Sequence, residues 1–156
     1  LKGASFDEYN SHLNDLALLY QKYSQYSDTF YRLESKLNLL EKALLLSESL
    51  SEKSFTELKN VKDEYLLIKD KYDTSPSKNE IGEWDKPTIG SRLSIANEGL
   101  STFYGPTGMN KYNLEVAKKL VDEYKNDVES INNVVKDLEE KIKNLNHPHI
   151  SGSGIN

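Results

Sequence analysis

Cysteine is absent from the 156-residue chain, which excludes a disulfide framework, a thiolate zinc site and a cysteine nucleophile while leaving the compartment open. No apolar run approaches the roughly 20 residues that a bilayer span requires. Leu1–Phe6 offers neither a basic end nor an apolar signal core, so the expectation is a soluble chain without membrane insertion. Basic residues number 20 against 25 acidic ones, and the net charge of -5 is spread without any basic block, which speaks against a nucleic-acid partner. Histidines are few: His12 lies far from His147 and His149, which straddle a proline, so no metal site and no cofactor are expected. The glycine-dotted run Gly99 to Gly108 has no strand before it and no Lys-Ser or Lys-Thr after it. It is therefore a turn and not a phosphate cradle.

What the chain does have is helical periodicity. From Ala117 the apolar residues fall at Val121, Tyr124, Val128, Ile131, Val135, Leu138, Ile142 and Leu145, in alternating steps of four and three. That is one apolar seam on one helix, placed at 107–146 with Thr107 as its cap. At roughly 1.5 Å per residue such a rod is about 57 Å long, and its stripe must be covered by other parts of the chain.

The first helix is placed at 5–46, opened by a Ser5/Glu8 capping box. Its seam reads Phe6, Tyr9, Leu13, Leu16, Tyr20, Tyr23, Tyr26, Phe30, Leu33, Leu37, Leu40 and Leu44. Two successive steps of three, from Tyr20 to Tyr26, predict local overwinding, with a kink or distortion near Ser24 to Asp28 and a true break there as the alternative. Four serines between Ser47 and Ser54 end this helix, since their hydroxyls compete for backbone hydrogen bonds. Ser54 with Glu57 is a second capping box, and Phe55, Leu58, Val61, Tyr65, Ile68 and Tyr72 give a helix at 54–72. Residues 73–86 (DTSPSKNEIGEWDK) form a long loop. A third helix at 88–103 carries Ile89, Leu93, Ala96 and Leu100 on one face and is stopped by Tyr104-Gly-Pro-Thr-Gly108. Residues 147–156 form a tail too polar to order itself.

The lengths imply an all-α fold with one domain at 1–146. It is an elongated antiparallel bundle of three layers whose middle layer is interrupted, the second and third helices together matching their two long neighbours; a compact four-helix bundle is the alternative. Pairs spaced four apart, Glu115 with Lys119, Asp137 with Lys141 and Glu139 with Lys143, read as a solvated face and not as catalytic carboxylates. No nucleophile–base or metal pair emerges, so no catalytic residue and no enzyme activity is expected. Most of the ten tyrosines fall on apolar faces, as rim-of-core residues with a wet hydroxyl. Trp84, the single tryptophan, sits in the 73–86 loop, either as a lid over the bundle end or as an anchor for a partner or sugar. Arg92 falls in the first turn of a helix, where its charge opposes the dipole. A carboxylate at Asp85 or Glu83, or the carbonyls of the Tyr104 to Pro106 turn, would compensate it.

The stretch Pro87-Thr-Ile-Gly-Ser-Arg-Leu93, then Tyr104-Gly-Pro-Thr107, then Glu115-Val-Ala117, with its proline-glycine tail, resembles the helical C-terminal region that follows the propeller in Bacteroidetes sortilin-like, BNR-repeat "glycosyl hydrolase" proteins. The likeness covers Lys86 to Gly154 and, more loosely, the two preceding helices. The tail differs, with Asn146-His-Pro-His149 where that family often has a Gly-Ala-Pro-Trp type of end. The resemblance implies a non-catalytic module of a larger, exported, propeller-containing protein, periplasmic or at the cell surface. It would mediate protein-protein contacts with the parent's own propeller or with envelope proteins, any hydrolase activity residing in the propeller. The alternatives are a glycan- or peptide-binding module using the 73–86 loop, and a coiled-coil oligomerisation domain. Trp84, Arg92 and Tyr104 are the candidate binding residues.

Overall fold

The computed structural model describes residues 3–47, 51–72, 88–100 and 105–146. Four helices account for nearly all of them: α1 Gly3–Leu45, α2 Glu52–Tyr72, α3 Ile89–Asn97 and α4 Gly108–Asn146, packed as an all-α bundle with no strand among the described residues. The chain forms two compact units, Leu1–Ser27 with Lys69–Asn126, and Asp28–Ile68 with Asp127–Asn156.

Caps fix the helix ends. Thr107 Oγ1 accepts the N–H of Asn110 at 3.1 Å, while Asn110 Oδ1 accepts the N–H of Thr107 at 2.8 Å, a reciprocal capping box with asparagine in the usual glutamate place. Thr88 caps α3 in extended backbone and accepts from the Ser91 N–H at 3.1 Å. Two expected boxes move. Helix α1 starts at Gly3, ahead of Ser5. Helix α2 is capped by Ser51, whose hydroxyl accepts from the Ser54 N–H at 3.3 Å, so Ser54 lies inside the first turn and is buried. The third helix, expected to reach residue 103, ends at Asn97. Its last turn is closed by the Glu98 N–H on the Ile95 carbonyl at 3.1 Å, and Gly99 then takes φ 74°, the left-handed conformation that glycine adopts without steric cost.

The seam of α1 also differs from its sequence reading. The side chains that face inward are Tyr9, His12, Leu16, Leu19, Tyr23, Tyr26, Phe30, Leu33, Leu37, Leu40 and Leu44, buried or half-buried throughout. Phe6 and Tyr20 are exposed, and Leu13 is half-buried. Steps of three and four alternate along this inward series without a break, so the overwinding expected near Ser24 to Asp28 loses its basis, and α1 is continuous there. On α2, Ser54 takes the inward position expected of Phe55, followed by Leu58, Val61, Tyr65, Ile68 and Tyr72. On α4 the expected seam is buried from Ala117 to Ile142 and extends backward to Leu114.

In the second unit, Phe30 and Tyr65 stack with centroids 4.3 Å apart and planes 11° from parallel. Ile131 and Val135 are wholly buried and Leu44 likewise, each such side chain contributing about 1.5 to 3 kcal/mol through removal from water. Lys62 pairs with Glu41, Lys36 with Glu139 at 3.4 Å, and Lys141 with Glu57 at 3.4 Å. Helices α1 and α2 therefore run antiparallel there, with α4 parallel to α1. Two members of the i,i+4 pairs expected on α4, Glu139 and Lys141, thus meet partners on other helices.

In the first unit, Tyr124 meets Tyr23 at 5.8 Å and Tyr72 at 4.8 Å between ring centroids. Lys111 pairs with Glu8 and Lys118 with Asp15, each pair 103 residues apart, which sets α1 and α4 parallel and in register. Helix α3 runs against both.

Candidate functional site

Polar side chains gather in the first unit, around the two ends of α3. A helix leaves its last four carbonyls without intrahelical donors, and a buried end must find them elsewhere. At α3 the carbonyls of Ile95 and Ala96, with those of Glu98 and Leu100 just beyond, meet donors from two other helices. Tyr9 of α1 donates its hydroxyl to the Leu100 carbonyl at 2.8 Å, and His12 Nε2 lies 2.7 Å from the Ala96 carbonyl. A carbonyl only accepts, so Nε2 carries the proton in that bond. From α4, the amide nitrogen of Asn110 donates to Ile95 at 2.8 Å and to Glu98 at 2.9 Å. His12 and Asn110 are 5% and 4% exposed, so these bonds form where water would not replace them.

At the other end, Arg92 occupies the first turn of α3. Its Nη1 donates to Asn113 Oδ1 at 2.9 Å, and its guanidinium carbon lies 6.0 Å from the centre of the Tyr112 ring. Asn113 is itself held by donating to the Met109 carbonyl at 2.9 Å. Among the described residues, an amide and an aromatic face on α4 meet the Arg92 guanidinium. Asp85 and Glu83 lie outside the described residues, as do Trp84, Tyr104, the 73–86 loop and the 147–156 tail. Arg92 Nε is buried with no hydrogen-bond partner among the described residues. A cavity of about 220 Å³ adjoins it, bordered by Lys71, Tyr72, Thr88 and Ile89.

A cleft of about 680 Å³ lies between the N-terminal parts of α1 and α4 and is lined by Asp7, Glu8, Asp15, Glu115, Lys111 and His12. Three of its carboxylates are engaged: Glu8 by Lys111 at 3.4 Å, and both Asp15 and Glu115 by Lys118 at 3.1 Å. Burial disfavours the charge on Lys118, but its hydrogen bonds to Glu115 and Asp15 outweigh that and raise its pKa above the ordinary 10.5. Among the described residues no group of three or more His, Asp or Glu side chains is placed to hold a metal ion.

The polar residues that matter most here, Tyr9, His12, Asn110 and Asn113, were not singled out by sequence reasoning as a group. One signal was present: Asn110 stands three residues after the cap Thr107, the place from which a side chain reaches back. No family model matches the chain, and no curated protein or solved structure matches it either.

Proposed function

We propose that this chain is a non-catalytic helical module, part of a larger exported protein with a propeller, that mediates protein-protein contacts at the cell envelope. The observation that carries the non-catalytic part is the use made of the buried polar side chains. His12 and Asn110 are directed at backbone carbonyls of α3, and Asn113 links Arg92 to the first turn of α4. Their chemistry is spent on joining helices, and the outer surface is left for recognition. That surface includes Leu39, Leu66 and Leu67 in the second unit, 64%, 56% and 72% exposed. The exported setting and the propeller rest on the resemblance alone, carried by Pro87–Leu93, Tyr104–Thr107, Glu115–Ala117 and the tail.

The test is photo-crosslinking in the intact parent protein in its own cells, with the reactive group placed at Leu39 or Leu67 and, as a control, at exposed Glu129. Protein adducts at the leucine positions and none at Glu129 are expected. Equal labelling at all three positions, or an adduct composed of two copies of the parent, overturns the reading.

A further inference from the structure

We draw no further inference here: the strongest candidate, the cavity of about 220 Å³ that Lys71, Thr88 and Arg92 border at the N-terminus of α3, carries nothing because the Arg92 guanidinium is already bonded to Asn113 and its unpartnered Nε, on a side chain that is only half-buried, is the single observation behind it.

Discussion

His12 Nε2 lies 2.7 Å from the carbonyl oxygen of Ala96, 84 residues away, and the bond is buried. It ties the third turn of α1 to the last turn of α3. Replacing His12 by leucine keeps an inward side chain of similar bulk but leaves that carbonyl without its donor. A loss of about 1 to 3 kcal/mol is expected. Tyr9→Phe removes only the hydroxyl bond to Leu100 from a half-buried position and should lose less, about 0.5 to 1.5 kcal/mol. Denaturant unfolding followed by circular dichroism measures both; an unchanged midpoint for His12→Leu would show that the bond contributes nothing.

Arg92 and Asn113 should behave as one unit. Arg92→Ala forfeits a charge-assisted hydrogen bond and the face of Tyr112, for an expected loss of about 1 to 2 kcal/mol. Asn113→Ala should lose a similar amount, and the double variant distinctly less than the sum of the two. Strict additivity in that cycle would mean the 2.9 Å contact carries no energy.

The seam of α4 separates two substitutions sharply. Ile131 has no exposed surface, so Ile131→Asp places a carboxylate in the core and should abolish cooperative unfolding of the second unit. Glu139 reaches Lys36 at 3.4 Å with both side chains about 40% exposed, and Glu139→Ala should change stability by less than about 0.5 kcal/mol. Thermal melts of the two variants side by side decide the matter, and similar melts would mean the seam is wrongly placed.

Gly99 and Gly108 make an opposed pair. Neither has a heavy atom within 4 Å of where a Cβ would sit, so backbone conformation alone sets the outcome. Gly99 holds φ 74°, and Gly99→Ala should destabilise by about 1 kcal/mol. Gly108 opens α4, and Gly108→Ala should stabilise by about 0.4 to 1 kcal/mol. A shift of the same sign in both variants would contradict the assigned backbone.

Lys118 predicts an alkaline dependence. Its pKa in the folded chain lies above 10.5, so the folded state holds this proton more tightly than the unfolded state does. The stability it contributes is fully present below the unfolded pKa and is lost as pH rises through the folded one. The side chain is 38% exposed, so the effect is small and screened by salt. Lys118→Met should therefore be less stable than the parent at pH 8, with the difference shrinking toward pH 12; a gap that widens with pH would reverse the sign.

The all-α class, the inward face of α4 and the face of α3 could be read from spacing alone, because runs such as Val121, Tyr124, Val128, Ile131 and Val135 satisfy only one helical face. The Thr107 cap was equally legible, since capping is settled within four residues. Of the candidate binding residues only Arg92 lies among those described, and its partner Asn113 is 21 residues further on, beyond the reach of local spacing.

The seam of α1 shows where local reading stops. At Leu13 versus His12, and Tyr20 versus Leu19, hydrophobicity offers two adjacent candidates, and periodicity with the wrong choice produces an apparent overwinding. Histidine enters a core only where a partner meets its N–H, and that partner, the carbonyl of Ala96, belongs to the end of another helix. That end is itself set by Gly99 and by Asn110 reaching back from α4. The sequence alone thus determined which stretches are helical and most of what they bury. The register of α1 and the end of α3 were decided by the tertiary structure, because a buried polar group is satisfied by whatever packs against it and not by its neighbours in the chain.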